Sequence, residues 1–315
     1  MDRDSVSWRG YWAACPTPFA EDESFAPDLM RELLDCYVSQ GLHGVLINGT
    51  AGEWFSQTPQ ERRAVARTAI EHVAGRMTVV IGCTACTARE VAELGRDAMD
   101  AGADGISSTP PPYAKTSPDE TVAFFTDIAR ALPAPMMVYN WPHGTSVDIG
   151  PELAARLANV DTVVAIKDST PNVEQFHQTV RTVVGRVRMF GQFMSTHGYE
   201  RMCRDGGDGT IGGGTIFGAP DPQFWEAHWR GDRERCLAHA RRIDRLFPRL
   251  WVNGGSAGRW GAYQSQLKAI MAMLGQPGGT TRPPRLPLTD LGSLRAIREI
   301  LVEEGLLGAQ EGVAA

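Results

Sequence analysis

Short apolar runs recur eight times before residue 215, at 11–15, 44–47, 77–81, 105–107, 135–139, 163–166, 187–190 and 209–212, each followed by a longer stretch of helical character. Runs this short, flanked by Gly and Pro, suit strands covered on both faces, as in a parallel sheet. The stretches between them keep a helical period. Residues 28–39 align Leu29, Leu33 and Tyr37, and 59–73 align Val65, Ala69 and Val73. Thr58, with Glu61 three residues on, is a capping-box signature for the second of these helices. Further helices are expected over 88–101, 118–131, 151–158, 173–184 and 196–206.

Eight βα units are the count that closes a barrel, with right-handed crossovers wrapping the helices around the outside. An open, doubly wound sheet also accommodates parallel strands, but no G-x-G-x-x-G opens an early helix here, and Gly212-Gly213-Gly214 follows the last strand instead. The expected fold is therefore α/β, a (β/α)8 TIM barrel over residues 1–219. A C-terminal helical region over 220–315 should pack on it, with helices at 223–250 (broken at Gly231-Asp232), 262–274 and 289–304. The Gly-, Pro- and Thr-rich segment 275–287 reads as loop.

Barrels of this kind build their sites from the C-terminal ends of the strands. At the end of the sixth apolar run Lys167 follows Ile166 where an ordinary strand would stay hydrophobic. A lysine is nucleophilic only when neutral, and burial lowers its pKa because desolvation disfavours the ammonium ion. A neutral lysine condenses with a ketone, and the resulting iminium is an electron sink for breaking or making a C–C bond. The alternative is a structural salt bridge to Asp168. Tyr139 ends the preceding strand, where a phenol either passes protons or plugs the barrel mouth. The turn Gly49-Thr50-Ala51-Gly52 offers backbone N–H groups to a carboxylate, a weak signal by itself.

Taken together, Gly49-Thr50-Ala51-Gly52-Glu53, Tyr139-Asn140-x-Pro142 and Ile166-Lys167-Asp168 resemble the dihydrodipicolinate synthase and N-acetylneuraminate lyase family, class I pyruvate-dependent aldolases. The likeness runs from Thr17-Pro18-Phe19 to the C-terminal helices. It implies that Lys167 forms the Schiff base, that Tyr139 relays protons and that Thr50 is its hydroxyl partner. It also implies that the N–H groups of Thr50 and Ala51 take the keto acid's carboxylate and that Ile211 and Gly191 line the site. The family assembles as tetramers of paired dimers, and the nearest match to a tyrosine donated across the tight interface is Tyr113.

Three departures bear on the second substrate. Ala51 replaces a second hydroxyl residue, Trp54 stands where a small residue is common, and Gly144 occupies the place of an arginine that attracts an aldehyde's carboxylate in dihydrodipicolinate synthases. Losing that charge argues against lysine biosynthesis. Hydratase-aldolases of aromatic catabolism are a closer analogy, with Trp54, Trp141 and His143 shaping the second pocket. The resulting expectation is a lyase joining or cleaving pyruvate, or a related 2-keto acid, and an aldehyde, with no cofactor and no metal. A Schiff-base dehydratase or deaminase, 4-hydroxy-tetrahydrodipicolinate synthase and an inactive binding homologue are the alternatives.

Bulk properties narrow the partners. A net charge of −6 with no basic block gives nucleic acid or an anionic membrane nothing to hold. No transmembrane run or secretory leader is visible, so a cytoplasmic location is expected. The six cysteines are expected to be small buried hydrophobes, and Cys83-x-x-Cys86, lacking a second pair, is read as packing.

Overall fold

The computed structural model of the protein describes residues 1–308. Strands β1 (Gly10–Ala14), β2 (Gly44–Ile47), β3 (Thr78–Gly82), β4 (Gly105–Ser108), β5 (Met136–Asn140), β6 (Val163–Asp168), β7 (Arg188–Phe190) and β8 (Gly209–Gly213) pair in parallel in chain order. Strand β8 then closes the barrel on β1, with Trp12 opposite Ile211.

The connecting helices are α1 (Pro27–Ser39), α2 (Pro59–Val73), α3 (Ala88–Asp100), α4 (Pro118–Ala131), the short α5 (Pro142–Thr145), α6 (Pro151–Leu157), α7 (Val173–Val183) and α8 (Thr196–Asp205). Helix α9 (Pro220–Trp229) packs against β1 and serves as the helix of the eighth unit. The capping box at Thr58 forms: its side chain accepts from the Glu61 N–H, and the Glu61 carboxylate accepts from the Thr58 N–H at 2.8 Å.

Beyond α9 lie α10 (Arg233–Leu250), the two-residue strands β9 (Trp251–Val252) and β10 (Ala257–Gly258), α11 (Tyr263–Met273) and α12 (Leu291–Glu303). The expected helix over 223–250 is thus two helices, parted at Gly231, whose φ of +76° ends the first one. Helix α5 and the β9–β10 pair have no counterpart in the expected elements. Each is too short for a periodic pattern to register.

Strand parity divides the core in two. Leu46, Val80, Met137, Ala165 and Phe190 meet Trp8 and Trp12 in one cluster, which plugs the barrel's interior. The outer layer, between strands and helices, is the larger cluster, including Val45, Ile47, Val79, Ile81 and Ile166. Room for the plug comes from missing side chains. A Cβ on Gly44 would sit 2.7 Å from the Trp12 indole, and one on Gly209 would sit 2.2 Å from the Phe190 ring. With the lower interior filled, residues one repeat further along the same parity, Tyr139 and Lys167, open onto the upper end.

The expectation for the cysteines holds only in part. Cys15, Cys83 and Cys236 are buried, but Cys86 and Cys203 are exposed; all six are free. Cys86 follows the end of β3 in the turn before α3, where no apolar partner covers it. Among the described residues, no helix is long and apolar enough to cross a membrane.

A buried ion pair ties the C-terminal region to the barrel. Lys268 on α11 lies 2.7 Å from Glu53, with side-chain exposures of 4% and 0%. The ammonium also donates to the carbonyls of Thr17 (2.8 Å) and Thr280 (2.5 Å). Removing one member of such a pair strands the other charge in the core, at a cost of about 3–5 kcal/mol. Lys268→Met should therefore lower the unfolding free energy obtained from denaturant titration by that much, and adding Glu53→Gln should restore part of the loss. A Lys268→Met protein as stable as the parent would contradict this account.

Candidate active site

The turn after β2 begins and ends on left-handed non-glycine residues, Asn48 (φ +54°) and Glu53 (φ +54°). Such backbone is held only where surroundings over-determine it. Asn48 Nδ2 donates to the Arg62 carbonyl at 2.8 Å, and Glu53 is fixed by Lys268. Gln264 of α11 completes the brace, its Nε2 donating to the Thr50 carbonyl at 2.9 Å. The segment carrying Thr50 and Ala51 is therefore pinned from three sides.

Lys167 and Tyr139 sit opposite each other in the β5–β6 register. The Lys167 ammonium nitrogen lies 3.9 Å from the Tyr139 ring centre. Lys167 is 7% exposed and has no ion pair among the described residues. Burial, with no acid to offset it, pushes its pKa down to about 7. The salt bridge to Asp168 does not form. Asp168 points off the lysine's face and accepts from Asn140 Nδ2 at 2.8 Å and from the Thr170 N–H at 2.9 Å. Burial raises its own pKa to about 7. Asn140 also donates to Asp148 at 3.0 Å and accepts from the Ile149 N–H at 3.0 Å, so this cluster locks the ends of β5 and β6 together.

Burial pushes the Tyr139 phenol up to about 12, offset in part by the nearby Ser169 and Thr50 side chains. At neutral pH this is a protonated phenol beside an amine that is neutral in substantial part. Such a pair can supply a nucleophile and a proton donor.

These groups open into a cavity of about 930 Å3, within the usual range for small-molecule sites. Thr50, Ala51, Trp54, Tyr139, Trp141, His143, Lys167, Gly191 and Ile211 all line it. Tyr139, Trp141 and His143 form a row of rings with centres 5.9 and 5.6 Å apart. Gly144 makes that row possible, since a Cβ there would lie 2.3 Å from the Trp141 ring. Tyr113 does not join them. It is 95% exposed on the bend before α4, while Pro112 reaches the cavity.

The lining also draws on residues that strand-end inspection missed. Phe55, Trp251, Tyr263, Gln264 and Arg285 complete one wall. Four of them belong to the C-terminal region, read as a helical appendage, and no motif marks them. The Gly212-Gly213-Gly214 cluster now has a reason too. A Cβ on Gly212 would lie 2.3 Å from the Tyr11 hydroxyl, and one on Gly213 would lie 1.8 Å from that of Tyr263. Among the described residues, no three His, Cys, Asp or Glu gather as a metal site would require.

Comparison with known proteins places this geometry. Residues 7–301 match the model of the dihydrodipicolinate synthetase family. An uncharacterized DapA-like lyase of Rhizobium meliloti is 31% identical over 293 residues, covering 92% of this chain and 95% of that protein. The 4-hydroxy-tetrahydrodipicolinate synthase of Halorhodospira halophila is 30% identical over 308 residues, covering 96% and 99%. In three dimensions the chain resembles YagE, a prophage protein of the dihydrodipicolinic acid synthase family from E. coli K12, solved in complex with pyruvate. The TM-score is 0.85 at 26% identity, covering 96% of this chain and all of that one. With a closed eight-stranded barrel, a buried lysine opposite a tyrosine, and these matches over nearly its full length, the chain belongs to the dihydrodipicolinate synthetase family.

Proposed function

We propose that the protein is a Schiff-base aldolase, or lyase, acting on pyruvate or a close 2-keto acid and a largely apolar aldehyde. The observation that carries this is the buried Lys167 amine, without an ion pair among the described residues and set against Tyr139. The pyruvate bound to YagE supports the choice of keto acid.

In the proposed cycle the Lys167 Nζ attacks the ketone carbon of pyruvate, whose carboxylate rests on the N–H groups of Thr50 and Ala51. The carbinolamine loses water, its leaving oxygen protonated from the Tyr139 hydroxyl with Thr50 as relay, which leaves Tyr139 as the phenolate. That phenolate takes a methyl proton and turns the iminium into an enamine, whose carbon attacks the aldehyde carbon. The new alkoxide takes a proton from Tyr139, and water then releases the hydroxy-keto acid and restores the amine. Cleavage runs the same steps backwards, the iminium accepting the electron pair of the breaking C–C bond.

The aldehyde's character follows from the walls. Trp54, Phe55, Trp141 and Trp251 surround the space beyond the lysine, and aromatic walls favour a hydrophobic or aromatic body. The place where an arginine is expected in dihydrodipicolinate synthases is Gly144, its space taken by the Trp141 ring. We propose further that the chain works as a homo-oligomer of paired dimers, with the exposed Tyr113 presented to a neighbouring copy.

Trapping with sodium cyanoborohydride in the presence of pyruvate should leave a reduced pyruvyl adduct on Lys167, located by peptide mass spectrometry, and Lys167→Arg should show none. The trapping rate should rise with pH and level off above about 7, because the folded protein holds this amine's pKa down by burial. A rate still climbing towards pH 10, or an adduct elsewhere, would overturn the assignment. Tyr139→Phe should still bind pyruvate while slowing adduct formation by roughly 10²–10⁴-fold, the usual scale for a lost proton relay; an unchanged rate would remove the tyrosine from the cycle.

A further inference from the structure

The charges around the cavity do not balance. Three acids line it, and each is already engaged. Asp168 accepts from Asn140 and the Thr170 N–H, Asp221 meets His239 at 3.2 Å, and Asp244 accepts from the Thr196 N–H at 3.1 Å. The cations are Lys167, neutralised in large part by its burial, and Arg285. Arg285 has no carboxylate partner among the described residues. Its guanidinium lies 5.4 Å from the centre of the Phe55 ring, and only its Nε is committed, donating to Gln264 Oε1 at 3.1 Å.

This arginine is also held in place. Just before it, Arg282 pairs with Glu61 at 2.6 Å and bonds the Ser56 carbonyl. Just after it, the Leu286 carbonyl accepts from Ser265 at 2.6 Å. Gln264 then joins Arg285 directly to the Thr50 carbonyl. A rigid, half-buried guanidinium over an aromatic face, with its forked end uncommitted, is a carboxylate receptor in waiting.

Building on the aldolase reading, we infer that Arg285 anchors an anionic group, most simply a carboxylate, on the second substrate. The substrate class is then an aldehyde whose apolar or aromatic body carries a carboxylate. The anion is met from the C-terminal loop, on an element remote in sequence from the Gly144 position that lacks a cation.

The test uses the full chain after pyruvate and borohydride have converted Lys167 to its stable adduct, so that the keto-acid position is filled. Titration calorimetry with benzoate and with benzyl alcohol compares one ring with and without the anion. Benzoate should bind at least about tenfold more tightly, the scale of a charge-assisted hydrogen-bonded pair. Arg285→Gln should bring the two affinities together, while Arg285→Lys should keep most of the preference. Gln264→Ala separates bracing from recognition: it should slow adduct formation yet leave the benzoate preference standing. Equal affinities in the parent, no binding of either ring, or a preference that survives Arg285→Gln would each overturn the inference. Failure of the adduct to form would instead overturn the aldolase reading, and the same comparison on untreated protein would still decide for or against the anion anchor.

Discussion

The arrangement rests on keeping one amine buried and, among the described residues, unpaired. An ammonium group taken out of water loses several kcal/mol of hydration unless a partner replaces it. Most proteins supply the partner, and here it is withheld. The adjacent acid, Asp168, falls on the opposite strand parity and is occupied by Asn140 and the Thr170 N–H. The interior below the lysine is filled by Trp8, Trp12, Met137 and Phe190. Deprotonation relieves the penalty, which is why the pKa falls. The same burial raises the phenol of Tyr139, so one environment holds the amine partly neutral and the phenol protonated.

A dry pocket also demands a firm rim, and the C-terminal region supplies it. Glu53 and Lys268 bury a charge pair directly behind the turn that carries Thr50, and Gln264 holds that turn by its carbonyl. Buried pairs of this kind contribute little net stability over an apolar filling, but they are unforgiving about position. Their value here is to fix a turn whose end residues both adopt left-handed backbone. The region beyond the barrel is thus the back wall of the site as well as a cover for its outside.

The barrel was legible because its signal is repetitive: eight apolar runs with helical stretches between them leave few other ways to bury both strand faces. That Lys167 and Tyr139 reach the cavity was legible because each ends such a run, and Thr50 because it lies in the turn just after one. Phe55 follows Trp54 within reach of the same inspection, yet nothing in its type distinguished it. Arg285 and Gln264 were beyond reach for a different reason. Their approach depends on how α11 and the loop after it fold back over β2, a long-range contact with no local period. The exposed Cys86 and Cys203 show the same limit, since a cysteine's burial depends on what packs over it.

Gly144 shows why an absent side chain has to be judged together with its neighbours. In the sequence it is a lost charge. In the fold it is a seat, because any Cβ there would collide with Trp141, so the glycine and the tryptophan form one apolar surface where a cation would otherwise stand. Restoring an arginine at 144 without removing Trp141 would therefore displace the indole into the cavity instead of recreating a charged subsite. Charge and shape in this pocket are divided between elements: the α5 side is aromatic, while the C-terminal loop holds the guanidinium. A barrel accommodates such an arrangement because its strands fix only the lysine, the tyrosine and the turn, leaving the surrounding loops free to change what the lysine faces.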